Sequence, residues 1–175
     1  MTLTVDELRE ILDDMAGLPY GGEVVDQRTH ALQCAGHAID AGSEPELVTA
    51  ALLHDVGRVP RVRRAHPGPH EEAGAAWCAA HTTERIAWLV GAHVPAKRYL
   101  VATDPAYAAT LSPASVASLR VQGGAYDDAE AAEFARHPWA ADALALRAWD
   151  EAAKEPDLPG ADVETVCDAL RRALG

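Results

Sequence analysis

Cysteine is scarce in this chain. Cys34, Cys78 and Cys167 are three, far apart and odd in number, which argues against a disulfide framework and fits a reducing cytoplasm. No stretch approaches the roughly 18 uninterrupted apolar residues that a membrane span needs. The N-terminus has no basic region followed by a long apolar segment, so no signal peptide is expected. Lys and Arg number 15 against 27 Asp and Glu, a net charge of −12. No basic stripe is present, so no nucleic-acid partner is expected, and the excess negative charge opposes nonspecific association. β-branched runs are few, and neither an internal repeat nor a low-complexity tract appears. Alanine is what abounds, within a hydrophobic fraction of 49% over 175 residues. That combination predicts one all-α domain over residues 1–175, with closely packed helices and a sizeable core.

The helix signals run in order along the chain. Thr4 and Glu7 form a capping-box pattern, and Leu8, Ile11, Leu12 and Met15 follow on one stripe up to Gly17–Pro19. Tyr20-Gly21-Gly22-Glu23 is a short glycine-rich loop, of the kind that lies across a site and moves. A second helix is expected from Asp26 to Ala41. A third is expected to start at a Ser43 cap, with Pro45 in its first turn, and to end near His54-Asp55. Gly57 to Pro69 carries several arginines and three prolines and reads as an exposed irregular loop. Helices follow from His70 to His81 and from Thr82, the latter interrupted or restarted at Pro95. Two short helices span Asp104–Leu111 and Ser112–Val121. The last three run over Asp127–Arg136, Trp139–Lys154 and Ala161–Leu174.

The run Ala50-Ala51-Leu52-Leu53-His54-Asp55-Val56-Gly57 organises the rest. A buried apolar helix ends in adjacent imidazole and carboxylate groups, and burying such groups costs several kcal/mol unless something compensates. A metal ion accepts both. Among the eight histidines, His30, His54, His70 and His93 sit on or beside helices able to converge. Asp55 has two oxygens with which to bridge, and Asp150 sits on a strong late helix able to close the site. Such a ligand set suits iron, manganese, zinc or nickel. His37, His66, His81 and His137 read as surface or loop histidines.

The pattern His30 … His54-Asp55 … Asp150 resembles the HD superfamily, an all-α helical bundle with a metal site in its core. His70 and His93 resemble the additional histidines of its dinuclear members. Tyr20-Gly21-Gly22-Glu23 through His30-Ala31-Leu32-Gln33 is similar to the start of the HD-type mixed-valent diiron oxygenases that cleave carbon–phosphorus bonds. The type enzyme of that family is the glycine-forming 2-amino-1-hydroxyethylphosphonate dioxygenase, and myo-inositol oxygenase is a distant relative. His93-Val94-Pro95-Ala96-Lys97-Arg98-Tyr99-Leu100, Leu111-Ser112-Pro113-Ala114-Ser115 and Leu146-Arg147-Ala148-Trp149-Asp150 resemble the same group, so the likeness covers about Tyr20 to Lys154.

The resemblance implies two iron ions, Fe(II) and Fe(III). One would be held by His30, His54, Asp55 and Asp150, the other by Asp55, His70 and His93, with Asp55 bridging. It also implies that dioxygen and a small 1-hydroxyalkylphosphonate are the reactants, and a carboxylate and phosphate the products. Lys97 and Ser115 match positions that contact the phosphonate. Tyr20 and Glu23 match a lid pair in which the glutamate recognises the substrate's cationic amine. Arg147 either contacts the anion or holds Asp150, and Gln27 and Gln33 are substrate-contacting groups or core polar filler. One position departs: the type enzyme reads His-Asp-x-Gly-His and myo-inositol oxygenase has lysine in the last place, whereas this chain has Arg58, which is able to clamp an oxyanion bidentately. The alternative function is an HD phosphohydrolase acting on a nucleotide or phosphomonoester through a metal-bound hydroxide. A metal-dependent binding module without turnover is a third.

Overall fold

The computed structural model describes residues 2–175, and among them the chain forms eleven α-helices and one 3₁₀ helix. The only extended pairing among the described residues is an isolated bridge between Pro19 and Asp26. The all-α expectation is therefore met. α1 (Val5–Met15) is closed by the full Thr4/Glu7 capping box and buries Leu8, Ile11, Leu12 and Met15. α2 (Gln27–Asp40) starts at Asp26, whose carboxylate accepts from the Thr29 and Gly17 amides. Gln27 N–H donates to the Leu18 carbonyl. These bonds pinch residues 18–27 into a closed loop that carries Tyr20 and Glu23.

α3 (Pro45–Leu53) is the axis of the molecule. Every residue from Leu47 to Leu53 is buried, and the helix packs against α2, α6 (Glu84–Thr103), α10 (Ala140–Ala152) and α11 (Val163–Leu174). An all-round apolar helix belongs in a core, and its small Ala50 and Ala51 let the neighbours approach. One buried cluster runs from Leu3 to Leu170 around it. No described helix is long and apolar enough to cross a membrane.

Three local expectations are corrected. α3 is capped at Glu44 rather than Ser43, and no side chain closes the cap; Pro45, with its preset φ and no amide to satisfy, starts the helix instead. The stretch after Gly57 is not an irregular exposed loop. It forms the 3₁₀ helix Val56–Arg58 and then α4 (Pro60–Ala65), with Val56, Val59 and Val62 buried. Those valines point into the core while Arg61, Arg63 and Arg64 face outward, a pattern that its prolines conceal. α6 also runs unbroken through Pro95. An internal proline costs about 3 kcal/mol locally, and burial of Ala92, His93, Val94, Ala96 and Lys97 on both sides of it offsets that cost.

One close approach sets the geometry that follows. A Cβ on Gly57 would lie 1.9 Å from the His70 carbonyl oxygen and 2.7 Å from the Gly74 amide. Only a glycine allows the 3₁₀ helix to press onto the first turn of α5 (His70–His81), and that contact brings Asp55 and Arg58 up to His70.

Candidate metal centre

Five helices each deliver ligand-type side chains to one buried point. His30 comes from the first turn of α2, His54 and Asp55 from the end of α3, His70 from the first residue of α5, His93 from the middle of α6 and Asp150 from α10. They fall into two triads, His30/His54/Asp150 and Asp55/His70/His93, within each of which the ligand atoms lie within 4.8 Å of one another. All six residues singled out in the sequence are therefore brought together. Asp55 faces both groups: Oδ1 is 3.1 Å from His70 Nε2 and 3.7 Å from His93 Nε2, and Oδ2 is 4.0 Å from His54 Nε2.

The hydrogen bonds decide what this cluster suits. His30 Nδ1 meets the Ala153 carbonyl at 2.6 Å, His54 Nδ1 the Ala51 carbonyl at 2.7 Å and His93 Nδ1 the Val90 carbonyl at 2.6 Å. Carbonyl oxygens only accept, so each of these rings carries its proton on Nδ1 and, when neutral, turns a bare Nε2 inward. His70 Nδ1 donates to Glu71 at 3.0 Å in the same manner. The inward nitrogens of His30 and His54 then stand lone pair to lone pair at 3.0 Å, and those of His70 and His93 lie 3.1 Å apart with Arg58 Nη2 also 3.1 Å from His70 Nε2. Without a cation that arrangement is repulsive. With one it is a ligand shell, since nitrogens about 2.1 Å from a metal at right angles sit about 3 Å apart. Asp55 Oδ1 is buried with no well-aligned hydrogen bond despite its short contacts, a further lone pair suited to a metal. The donor set of imidazoles and carboxylates fits a transition metal.

Electrostatics agree. Burial alone would raise the Asp55 carboxyl, but Arg58 and His70 outweigh it and hold it well below the usual carboxylate range. Asp150 behaves likewise, with Arg147 and His54 outweighing burial. Burial pushes His54 and His93 down, keeping their rings neutral as ligands must be, whereas at His70 Asp55 and Glu71 outweigh burial and raise it.

The surroundings include several residues that the sequence had singled out. Tyr20 stacks on the His30 ring at 3.8 Å and donates to Asp150 Oδ1 at 3.0 Å, so it lies directly over the first triad. Burial and the Asp150 and Asp55 carboxylates keep its phenol protonated. Arg58 places Nε 2.9 Å from Asp55 Oδ1 and Nη2 3.1 Å from His70 Nε2. Arg147 binds Asp150 and Glu151 through its guanidinium tips and donates from Nε to the Tyr107 hydroxyl at 2.6 Å. Holding Asp150 is thus the Arg147 role that the geometry displays. Lys97 donates to Ser118 Oγ at 2.9 Å, and burial followed by Arg147 pushes its ammonium down to about 8. Gln33 ties down the loop after α10 by bonds to the Glu155 and Leu158 carbonyls. Gln27 is buried at the start of α2 with its Oε1 unpartnered. Glu23 accepts from Ser112 Oγ at 2.6 Å and lies 3.4 Å from Lys154 Nζ.

Tyr20, Asp55, Arg58, His70, His93, Lys97, Ser115 and Asp150 all line a small polar cavity of about 30 Å³. It is continued outward by a chamber of about 90 Å³ lined by Tyr20, Gly21, Glu23, Arg58, Ala114, Ser115 and Ser118. The remaining histidines stay outside: His81 stacks on Trp77 and His137 on Trp88.

Sequence reading missed Glu71, Tyr107, Ser118, Glu151 and Lys154. Ser118 and Lys154 sit one helical turn after Ser115 and Asp150, a spacing that could have flagged them. Nothing in the sequence marks Tyr107, which is brought in by the fold. Glu71 fixes the orientation of the His70 ring, and partners of this kind are worth 10–100-fold in metal affinity. Glu71→Gln should therefore weaken one of two metal equivalents by about that factor in a competitive chelator titration; unchanged affinity for both would contradict the role.

A helical bundle with His-Asp ligands converging from its central helix defines an HD-domain protein, and the sequence pattern of the HD domain matches residues 28–122. The chain belongs to the HD-domain family, in the branch that contains the phosphonate dioxygenases. It is 38% identical over 164 residues to the glycine-betaine-forming [1-hydroxy-2-(trimethylamino)ethyl]phosphonate dioxygenase of Leisingera caerulea, covering 90% of this chain and 84% of that one. It is 37% identical over 167 residues to the hydroxymethylphosphonate dioxygenase of Gimesia maris, covering 91% and 83%.

Proposed function

We propose that this protein is a non-haem diiron oxygenase that cleaves the C–P bond of a small 1-hydroxyalkylphosphonate with dioxygen. The observation that carries the reading is the pair of triads facing one Asp55 beside a cavity edged by Lys97 and Arg58. The names of the two dioxygenase relatives support it. His30, His54, Asp55 and Asp150 would hold one iron, and Asp55, His70 and His93 the other. Bound as a mixed-valent Fe(II)/Fe(III) pair, the irons would supply dioxygen activation and oxidation at C1. The balance needs no reductant: the phosphonate R–CH(OH)–PO₃²⁻ and one O₂ give RCOO⁻, HPO₄²⁻ and a proton.

The residues of the chain perform the rest. Lys97 and Arg58 receive the phosphonate oxygens, a charge-assisted contact, and Ser115 and Ser118 add hydroxyls to the same wall. Arg147 keeps Asp150 ionised and oriented. Tyr20 covers the first triad and must leave it for the substrate to enter, a movement that the Gly21-Gly22 pair allows, with both φ values positive. Enclosure in a buried cavity then excludes bulk water.

The test is anaerobic reconstitution with Fe(II), followed by oxygen uptake and phosphate release on a panel of 1-hydroxyphosphonates. One phosphate per O₂ is expected, and phosphate release that persists without oxygen would sink the oxygenase in favour of a hydrolase. Lys97 adds a pH prediction. It is charged below about 8 and neutral above, and metal cations beside it push in the same direction. Phosphonate Kd should therefore begin to rise at or below about pH 8, climbing by up to about tenfold per pH unit. Lys97→Met should weaken binding and remove that inflection; an inflection that survives in the variant belongs to another group.

A further inference from the structure

We infer that Glu151 is a positioning residue: from α10 it clasps a helix that walls the cavity, and with one carboxylate it sets Ser115 toward the phosphonate and Arg147 toward Asp150. The role given to Ser115 rests on the proposed phosphonate chemistry. Glu151 itself lines neither the inner cavity nor the outer chamber and belongs to neither triad.

The helix in question, α8 (Pro113–Val121), lacks the usual fastening. Ser115 is its one buried residue, and Val116 and Val121 are exposed. Among the described residues, none from 105 to 121 belongs to the apolar core or packs against it. A helix of this length is marginal by itself and normally depends on an apolar face. Here the inner face is polar, since Ser115 and Ser118 wall the cavity, so polar bonds must do the holding. Glu151 collects four donors, two on each oxygen. Oε1 accepts the Ser112 amide at 3.0 Å and Lys154 Nζ at 2.8 Å, and Oε2 accepts Ser115 Oγ at 2.8 Å and the Arg147 guanidinium. One donor of each pair comes from the start of α8, the other from α10 or just past its end. The remaining ties of the segment are Ser112 to Glu23, Lys154 to Ser115, Lys97 to Ser118 and Arg98 to the Gly124 carbonyl. A carboxylate suits the node because it only accepts, at about four lone-pair sites. A glutamine would turn its N–H₂ against one pair of donors, and neither the Ser112 amide nor the guanidinium can reverse its role. Arg147 also binds Asp150, so the same carboxylate ties the phosphonate wall to the metal side.

The experiment is hydrogen exchange on the iron-loaded protein without ligand, paired with anaerobic calorimetric titration of the same protein with hydroxymethylphosphonate. In Glu151→Gln the amides of residues 115–121 should exchange at least about tenfold faster, as the loss of hydrogen bonds to a charged group implies. Protection of α3 and iron content should stay as they are. The Kd for hydroxymethylphosphonate should rise by at least about tenfold. Removal of a negative charge would by itself tighten the hold on an anion, so the sign separates a clasp from a plain charge effect, and unchanged or tighter binding overturns the inference. Glu151→Asp provides a second arm should Glu151→Gln fail to fold. It keeps the charge beside Arg147 and Lys154 but is one methylene short of α8, so exchange and Kd should move in the same direction. Exchange in 115–121 no faster than in the unaltered protein, or faster by the same factor throughout the chain, likewise overturns the inference. If the unaltered protein binds no phosphonate, the phosphonate reading falls, while the exchange arm still decides whether Glu151 holds α8.

Discussion

Asp55→Ala should strip the protein of both metals at once. Iron content is expected to drop from about two per chain to almost none, and oxygen-dependent phosphate release by at least about 10³-fold. The reason is the position of its carboxylate, whose Oδ1 faces His70 and His93 while Oδ2 faces His54. Asp55 belongs to the second triad and also reaches His54 of the first, so its carboxylate lies at the junction of the two. His70→Ala or His93→Ala touches a single triad and should leave about one equivalent bound. The metal-free fold should survive Asp55→Ala, because the partner left behind, Arg58, has 36% of its side chain exposed and water can solvate it. Metal analysis after desalting, alongside a thermal melt, checks this. A variant that keeps one tightly bound iron would show that Asp55 serves one metal only.

Arg147→Ala attacks the fold rather than the metals. Arg147 is 3% exposed, and its guanidinium is the shared partner of Asp150, Glu151 and the Tyr107 hydroxyl. Breaking a buried ion pair by removing one partner costs about 3–5 kcal/mol, or roughly 6–20 °C in melting temperature for a chain of this size. The sign of the pH dependence follows from Asp150. Its folded pKa is depressed, because Arg147 outweighs burial, so its stabilising contribution is present above the unfolded carboxylate value and is lost as pH falls through the folded one. The deficit of the variant should therefore be largest near neutrality and shrink in acid. Added metal should recover part of it by neutralising Asp150. A deficit under about 1 kcal/mol, or one independent of pH, would mean that Arg147 is not the counter-ion its position indicates.

The site was more legible than the connections around it. Metal-type chemistry left a local signature in His54-Asp55, where an apolar helix ends in two groups that burial penalises, and His30, His70, His93 and Asp150 sat on helices whose periodicity was readable. The stretch from Gly57 to Pro69 was not, because prolines and arginines mask three buried valines, and only packing tells a valine's direction. Pro95 misled for a related reason: a local cost of about 3 kcal/mol is visible in sequence, while the burial that offsets it on α6 is not. Glu44 displaced Ser43 as a cap because Pro45 sets the first turn without a side-chain bond.

The sequence by itself determined the helical class and marked the six ligand candidates, since each rests on short-range spacing or on residue chemistry, while a lid role for Tyr20 and the departure at Arg58 are visible only through the resemblance to the diiron oxygenases. Tertiary structure alone decided that the six ligands meet as two triads, that Glu71 and Tyr107 brace them, and that Lys154 reaches Glu23 across 131 positions of chain, from 154 − 23. Contacts between residues so distant in sequence are set by how helices pack, and the periodicity of each helix carries no record of what its neighbour will present.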